Sequence, residues 1–236
     1  MRLAPAAATQ ARFAPVTLRG HCPVPSRAAL FPVIRMSLLS LGLTVVAYLM
    51  GSLSAAILVC RLLGLPDPRT EGSRNPGATN VLRIGGKWPA FLTLAGDVLK
   101  GVLPVLAAHA LHLPPWGLAA VMFAAFLGHL FPLYFGFAGG KGVATTLGVV
   151  LAMSLPVGLA TCVTWLGIAA ATRYSSLAAL VAVGVTPVYT LLWTRQPSLT
   201  VATALIAVIL TWRHRENIAR LRAGTESRIG RKKAAE

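Results

Sequence analysis

Acidic side chains are scarce in this chain of 236 residues, which contains only six of them. Only 12% of its residues are charged, whereas soluble domains carry roughly a quarter. So little polar surface cannot cover a water-soluble globule, which excludes a soluble domain and indicates lipid as the solvent. The 22 Lys and Arg residues lie between apolar segments. This is typical of a bilayer protein with cytoplasmic basic loops, and no nucleic-acid partner is expected.

Potential metal ligands are also few. The three cysteines, Cys22, Cys60 and Cys162, show no paired spacing, which argues against a disulfide framework or a zinc site. The histidines are scattered, and the carboxylates are too few to form an oxygen cage for a metal ion. We therefore expect the protein to use no metal and no cofactor.

Apolar segments that suit a bilayer follow Met36. About 20 apolar residues in a helix cross a hydrocarbon layer of roughly 30 Å. The predicted spans cover residues 37–60, 88–110, 116–135, 157–172, 176–193 and 198–212, and a shorter apolar run covers 143–155. Asp97 and Lys100 interrupt the second span, and their spacing of three places them on one helical face, where they can pair inside the protein.

The basic residues indicate how many segments cross. The loop 61–87, Lys141, Arg173 and the basic tail 213–236 should all be cytoplasmic. This holds only if the short run 143–155 crosses as well. We therefore predict an all-α, polytopic membrane helical bundle of about seven transmembrane helices, one of them short. Its N-terminus would lie outside and its C-terminus in the cytoplasm.

The two ends differ from the apolar body. Residues 1–35 contain five Arg and no acid, and they lack the apolar periodicity of a stable helix. Outside the membrane, these arginines would oppose the positive-inside bias. We expect residues 1–35 to be disordered or untranslated, with Met36 as the true start. The membrane-embedded domain would cover 36–230, and 231–236 would form a disordered basic tail.

A first polar string lies in the loop after the first span. It reads Gly72-Ser73-Arg74-Asn75-Pro76-Gly77-Ala78-Thr79-Asn80 and is followed by Arg83. Glycines let backbone N–H groups turn toward a ligand, while hydroxyls and a fixed cation add donors. A plain turn between two helices needs about four residues, so this longer string predicts an anion site.

A second string contains a glycine-rich loop with one lysine that runs directly into a helix. It reads Gly128-His129-Leu130-Phe131-Pro132 and continues to Gly139-Gly140-Lys141-Gly142-Val143-Ala144-Thr145. Such a loop can hold a phosphate at the helix N-terminus. It is not a Walker A loop, because that pattern needs Gly at position 135 and Ser or Thr at position 142. Nucleotide hydrolysis is therefore not predicted.

A third string joins the last span to the tail. It reads Arg213-His214-Arg215-Glu216-Asn217-Ile218-Ala219-Arg220-Leu221 and is followed by Gly224-Thr225-Glu226. On one continuous helix, His214, Asn217 and Leu221 would share a face. A basic helix end that touches anionic lipid is an alternative interpretation. His214 and Asn217 favour a more specific role than charge alone.

Together, these strings resemble the bacterial acyl-phosphate-dependent glycerol-3-phosphate acyltransferase family. The family pattern is similar to GS-x-NPGATN-x-x-R, then GH-x-FP…GGKGVAT, then RH-x-x-NI-x-RL-x-x-GTE, and the matches cover roughly residues 37–230. Arg74 stands where the family usually has Gly, and Ala138 stands where it usually has Lys. We expect these two departures to tune affinity without abolishing activity.

The resemblance implies transfer of a fatty acyl group from acyl-phosphate to the sn-1 hydroxyl of glycerol 3-phosphate, which yields lysophosphatidic acid and phosphate. This is the first acylation of phospholipid synthesis, in the bacterial inner membrane, in contact with membrane lipids. A soluble or peripheral enzyme that makes acyl-phosphate would supply the donor. A membrane transporter of small phosphate compounds is the alternative, although no internal repeat supports it.

The resemblance also implies the site residues. The expected catalytic residues are Ser73, His214 and Asn217. The residues expected to bind substrate or phosphate are Asn75, Gly77, Thr79, Asn80, Arg83, Gly139, Gly140, Lys141, Gly142, Thr145, Arg213 and Glu226. None of the five histidines has Asp five residues later, so the thioester-type acyltransferase pattern is absent from the sequence.

The proton acceptor stays open between several groups. Glu71, His129, His214, Glu216 and Glu226 are candidates near the three strings. A substrate phosphate oxygen is a further candidate, because the leaving phosphate gains a proton in the end. Our hypothesis is that His214 and Asn217 orient glycerol 3-phosphate and that the proton leaves through a phosphate oxygen.

Overall fold

A computed structural model describes residues 27–230 of the chain, and every regular element in that part is helical. The helices are α1 (Arg27–Gly51), α2 (Ala55–Leu62), α3 (Ala78–Gly85), α4 (Lys87–Ala110), α5 (Pro115–Leu130), α6 (Val143–Met153), α7 (Leu155–Thr172), α8 (Ser175–Thr194), α9 (Pro197–Arg213) and α10 (Arg215–Arg222), with a 3₁₀ turn at Leu133–Phe135. The predicted all-α class is confirmed.

Among residues 27–230, four segments are long and apolar enough to cross a bilayer, namely α4, α5 extended by the 3₁₀ turn, α7 and α8. The pair α1 and α2 qualifies as a fifth span with a bend of 41°. The helices α6 and α9 are apolar but shorter. These elements match the predicted spans closely, whereas the count of seven crossings and the orientation of the ends stay predictions.

The first span is not the single helix that we expected over 37–60. It breaks between Gly51 and Ala55, where Ser52 and Ser54 are buried. The Lys100 ammonium on α4 donates a hydrogen bond of 2.8 Å to the carbonyl oxygen of Leu53. Backbone that leaves a helix at membrane depth needs such a partner inside the protein. The break therefore depends on a residue from another helix.

The start of α1 also differs from the expectation. The helix begins at Arg27, before Met36, whereas the sequence of residues 1–35 showed no pattern typical of a stable helix. Residues 1–26 and 231–236 lie outside the described residues, so the disorder expected for these two segments stays a prediction. Whether residues 1–35 are translated stays a prediction.

Glycines bring the helices into close contact. A Cβ atom on Gly51 of α1 would lie 2.3 Å from the carbonyl oxygen of Ala125 on α5. A Cβ atom on Gly148 of α6 would lie 2.2 Å from the carbonyl oxygen of Val98 on α4. Small residues at helix crossings are characteristic of membrane bundles, in which close packing replaces the hydrophobic effect. These contacts fix α5 and α6, which carry the second polar string.

The apolar side chains divide between a core and an outward surface. Phe126 and Leu130 of α5 pack with Ile206 and Leu210 of α9 in a buried cluster. Leucines and valines also face outward, as Val208 does with 68% of its surface exposed. An outward apolar surface suits a lipid environment. The α5–α9 cluster lies next to both the glycine-rich loop and His214, because these follow α5 and α9 directly.

Candidate active site

The first polar string folds around the side chain of Asn80, which is 1% exposed. Its amide oxygen accepts a hydrogen bond of 2.8 Å from the backbone N–H of Ser73. Its amide nitrogen donates to the carbonyl oxygens of Pro68 at 2.9 Å and Glu71 at 3.0 Å. Asn80 therefore holds the loop closed, while the Ser73 side chain stays exposed beside it.

Arg74 adopts a left-handed backbone conformation with φ of 57°. Its N–H donates to the carbonyl oxygen of Glu71 at 3.0 Å, which closes a tight turn. Glycine adopts this conformation at little cost, whereas a residue with a Cβ is strained in it. The geometry gives a physical reason for the glycine that the family pattern usually carries at this position.

The end of the first string lies on α3, where Gly77 immediately precedes the helix. Two side chains of α3 reach other parts of the chain. The Thr79 hydroxyl lies 3.4 Å from the Ser175 hydroxyl at the start of α8. The Arg83 guanidinium donates to the Ser227 hydroxyl at 2.6 Å. Ser175 and Ser227 were not predicted, because single serines outside a recognisable pattern give no signal in the sequence.

The glycine-rich loop is held by its own backbone and by Arg213. The Gly140 N–H donates to the carbonyl oxygen of His129 at 3.2 Å. The Arg213 guanidinium donates to the carbonyl oxygens of Gly139 at 2.9 Å and Gly140 at 3.0 Å. Gly142 has a φ of 86°, which favours glycine. With these carbonyls turned toward Arg213, the loop leads directly into the N-terminus of α6.

The first turn of α6 carries backbone donors without partners. Within residues 27–230, no group accepts a hydrogen bond from the N–H groups of Gly142, Val143 and Ala144. The first closing bond runs from the Thr146 N–H to the Gly142 carbonyl at 2.8 Å. Unpaired N–H groups and the positive end of the helix dipole form a site that suits an anion.

Lys141 joins the second string to the third. Its ammonium donates a hydrogen bond to the amide oxygen of Asn217 on α10. Burial, together with the nearby Arg220 cation, lowers the pKa of Lys141 to about 8. Lys141 is therefore a cation at neutral pH, but it loses its proton at a lower pH than an exposed lysine does.

Glu226 is the acceptor at the centre of the third string. One carboxylate oxygen accepts hydrogen bonds of 2.7 Å from the Ser176 hydroxyl and from the Asn217 amide nitrogen. The other accepts from the Arg220 guanidinium at 2.7 Å. Burial alone raises the pKa of Glu226, but these three donors outweigh it and lower the pKa below its usual value. Ser176 was not predicted from the sequence.

His214 lies at the junction between α9 and α10, so the continuous helix assumed for the shared face of His214, Asn217 and Leu221 is interrupted there. The side chain of His214 is 3% exposed. Its Nδ1 lies 2.8 Å from the carbonyl oxygen of Leu210. A carbonyl only accepts, so Nδ1 carries the proton and Nε2 is the free acceptor. Burial, with a smaller contribution from the Lys141 cation, lowers the pKa of His214 to about 4. The ring is neutral at pH 7.

The three strings thus meet at one end of the bundle, as their predicted positions on one membrane face required. Asn217, Glu226 and Lys141 form one connected group, and Thr79 and Arg83 reach the neighbouring Ser175 and Ser227. Thr145 instead points into the bundle toward His129. In the part of the chain that the structure describes, no three His, Cys, Asp or Glu side chains converge. The expected absence of a metal stays a prediction.

Similarity to known proteins identifies the family of this chain. Residues 41–224 match the family described as glycerol-3-phosphate acyltransferase. A glycerol-3-phosphate acyltransferase of Thioalkalivibrio sulfidiphilus is 60% identical over 195 residues, which are 83% of this chain and 96% of that protein. The corresponding protein of Halorhodospira halophila is 58% identical over 193 residues, which are 82% of this chain and 98% of that protein.

A solved structure agrees with these relatives. The crystal structure of PlsY, an integral membrane glycerol 3-phosphate acyltransferase, superposes in its glycerol 3-phosphate form with a TM-score of 0.77 and 41% identity. The match covers 81% of this chain and 96% of that one. This chain therefore belongs to the glycerol-3-phosphate acyltransferase family of integral membrane proteins.

Proposed function

We propose that this chain transfers a fatty acyl group from acyl-phosphate to the sn-1 hydroxyl of glycerol 3-phosphate. The products are lysophosphatidic acid and inorganic phosphate. The single observation that carries the proposal is the meeting of two groups of anion donors at one end of a membrane bundle. One group is the N-terminus of α6 with Lys141, and the other is α3 with Arg83. Two phosphate-bearing substrates require two such groups.

The donor phosphate binds at the N-terminus of α6 in this proposal. Gly142, Val143 and Ala144 offer backbone N–H groups there, and Lys141 offers its ammonium. Val143 packs against the apolar cluster of Phe126 and Leu130, so an acyl chain attached to this phosphate has apolar surface beside it. An anion with a long hydrocarbon tail fits such a junction.

The phosphate of glycerol 3-phosphate binds between α3 and the start of α8. Arg83 supplies a fixed cation, and Thr79 and Ser175 supply hydroxyls that lie 3.4 Å apart. Ser73 and Asn75 belong to the exposed loop next to them and complete the acceptor site. A PlsY structure is described as a glycerol 3-phosphate form and another as a lysophosphatidic acid form, which supports substrate and product of this kind here.

Several predicted ligands take a supporting role in this scheme. The side chains of Asn80 and Arg213 donate hydrogen bonds to backbone carbonyls, and the Thr145 hydroxyl donates to the carbonyl of Asp97. We therefore assign them to holding the loops, with Gly77 and Gly139 providing the turns. Direct contact with substrate is assigned to the N–H groups at the start of α6 and to the side chains of Ser73, Asn75, Thr79, Arg83, Lys141, Ser175 and His214.

The chemistry needs little beyond positioning, because an acyl-phosphate is already activated. The hydroxyl oxygen attacks the acyl carbonyl carbon, and the bond from that carbon to the phosphate oxygen breaks. The hydroxyl proton passes to a phosphate oxygen. Neutral His214 accepts a hydrogen bond at Nε2 from the other free hydroxyl of glycerol 3-phosphate and so orients the substrate, while Asn217 and Glu226 hold Lys141 in place.

The test is an enzyme assay in detergent, where no closed membrane compartment is present. Purified protein in detergent is incubated with labelled glycerol 3-phosphate and palmitoyl phosphate, and the lipid fraction is analysed. Labelled lysophosphatidic acid supports the proposal. A transporter of phosphate compounds forms no lipid product in detergent, so absence of product with uptake into vesicles would favour that alternative. Supply of the donor by a separate soluble or peripheral enzyme remains part of the proposal.

A further inference from the structure

The segment that begins at Glu226 crosses the end of the bundle beside the proposed acceptor site. Residues 226–230 form no helix, and we call them the strap. At its start, the Glu226 carboxylate accepts a hydrogen bond of 2.7 Å from the Ser176 hydroxyl on α8. The next residue, Ser227, accepts a hydrogen bond of 2.6 Å from the Arg83 guanidinium on α3. The strap therefore joins α8 to α3.

The far end of the strap is fixed through its backbone. The Ile229 N–H donates to the carbonyl oxygen of Arg173 at 2.7 Å, and the Arg173 guanidinium donates to the Ile229 carbonyl oxygen at 2.9 Å. Arg173 lies between α7 and α8. Between the two ends, the Arg228 guanidinium lies 5.3 Å from the centre of the Tyr174 ring and donates to its hydroxyl at 3.2 Å. Ser227 is thus tethered on both sides by its neighbours in the chain.

The Arg83 guanidinium depends on the strap for its position. Both Arg83 and Ser227 are exposed, and among residues 27–230 no other group forms a hydrogen bond or an ion pair with this guanidinium. A guanidinium has five N–H donors, so a bond to one hydroxyl leaves most of them free for a phosphate. A bond to a tethered serine also restricts the rotamers of the arginine, so less entropy is lost when a substrate binds.

The same arginine belongs to the proposed site for the phosphate of glycerol 3-phosphate. Thr79 lies one turn before Arg83 on α3, so the two side chains are neighbours on the helix surface. The Thr79 hydroxyl lies 3.4 Å from the hydroxyl of Ser175. Ser175 directly precedes Ser176, which holds the start of the strap. The strap therefore meets the acceptor site at two places, at Arg83 and at the start of α8.

We propose that Ser227 is a positioning residue for glycerol 3-phosphate. It holds the Arg83 guanidinium in place before the substrate arrives, and the pair of Arg173 and Ile229 anchors the strap that carries it. The contact of Ser227 reaches Arg83 alone, so the role concerns binding of the acceptor. This inference rests on the proposed function, in which Arg83 binds the acceptor phosphate.

The first test compares Ser227→Ala with Ser227→Thr. Alanine removes the oxygen that accepts the Arg83 N–H, whereas threonine keeps a hydroxyl. We expect Ser227→Ala to raise the KM for glycerol 3-phosphate by about fivefold, with kcat and the KM for palmitoyl phosphate within about twofold of wild type. Ser227→Thr should have a nearly wild-type KM. A general loss of structure would instead change both KM values and lower the melting temperature.

Thr225→Ala is the matched control. Thr225 is exposed in the same segment, and its hydroxyl lies 3.5 Å from the Arg220 carbonyl oxygen, away from Arg83. Its KM for glycerol 3-phosphate should stay within about twofold of wild type. Equal effects of Thr225→Ala and Ser227→Ala, or a threonine variant as impaired as the alanine variant, would overturn the proposal.

A double-mutant cycle asks whether Ser227 acts through Arg83. Arg83→Ala removes the guanidinium that Ser227 holds. Adding Ser227→Ala to this variant should therefore change kcat/KM for glycerol 3-phosphate by less than about twofold. Additive effects of the two substitutions would mean that Ser227 acts without Arg83, which would overturn the positioning role.

The anchor is tested by Ile229→Pro against Ile229→Val. Proline lacks the N–H that binds the Arg173 carbonyl, whereas valine keeps it. Ile229→Pro should raise the KM for glycerol 3-phosphate about as much as Ser227→Ala does, and a wild-type KM would overturn the anchoring role. A wild type that forms no product from palmitoyl phosphate would overturn the proposed function itself. A wild type that turns over, with an unchanged KM for glycerol 3-phosphate in Ser227→Ala, would overturn the role of Ser227 alone.

Discussion

The Lys141 ammonium and the Asn217 amide oxygen are joined by a hydrogen bond across 76 residues of sequence. The amide nitrogen of the same Asn217 donates to the Glu226 carboxylate at 2.7 Å. A cation on one side and an anion on the other leave a single favourable orientation of the amide. Asn217 therefore links the segment around Glu226 to the glycine-rich loop. This link joins the second string to the third.

Removal of the Lys141 charge should be costly for catalysis. We expect Lys141→Ala to lower kcat/KM by at least about 100-fold, since a charged contact contributes about 3 kcal/mol in a water-poor site. Lys87→Ala is the matched control, because Lys87 is exposed at the start of α4. Steady-state kinetics in detergent measure both variants. Near-normal activity of Lys141→Ala would remove it from the phosphate site.

The lowered pKa of Lys141 predicts an alkaline decline. Below about pH 8 the free enzyme holds the ammonium, and above it the charge is lost, so kcat/KM should fall as pH rises. Phosphate esters lose their second proton near about pH 6, so substrate charge does not change in this range. Lys141→Arg keeps its charge and should shift the decline to higher pH. An unshifted decline in an active Lys141→Arg enzyme would assign it to another group.

His214→Gln separates orientation from proton transfer. Glutamine retains hydrogen bonding but cannot titrate, and His214 is already neutral at pH 7 with a pKa of about 4. We expect the variant to retain more than about a tenth of wild-type kcat. A fall of more than about 1000-fold with unchanged KM would make His214 the general base and rule out the phosphate-assisted route.

Glu226→Gln tests the acceptor at the centre of the third string. Loss of the charge weakens three hydrogen bonds at once and leaves Arg220 without its ion pair. We expect kcat/KM to fall by about tenfold or more and the melting temperature in detergent to decrease. Glu216→Gln is the control, since Glu216 is an exposed acid on the same helix as Asn217. Equal activity of the two variants would contradict the role of Glu226.

The sequence predicted the spans well because each depends on local composition. The break at Leu53 was missed because it rests on Lys100, which lies 47 residues away and contacts Leu53 only through the fold. No local pattern distinguishes an apolar segment that bends from one that stays straight when its partner lies on another helix.

The sequence predicted which segments form the site, but it did not predict which side chains bind substrate and which support the loops. The membrane topology predicted from the sequence is enough to place the three strings on one face. The division between ligands and supports depends on where each donor points, as Asn80 and Arg213 illustrate by donating to backbone carbonyls. Ser175 and Ser176 are ordinary residues at a helix start, and only the folded chain brings them to Thr79 and Glu226.

The shortness of α6 has a consequence for the reaction's surroundings. Its 11 residues rise by about 16 Å, whereas the hydrocarbon layer is about 30 Å thick. If α6 crosses as predicted, the bilayer must thin beside it or one end of the helix must lie below the headgroups. A phosphate held at its N-terminus would then sit near the depth at which acyl chains begin. The lipid substrate and product could exchange sideways with the leaflet while glycerol 3-phosphate enters from water. Membrane thickness itself would then become a variable that sets the rate.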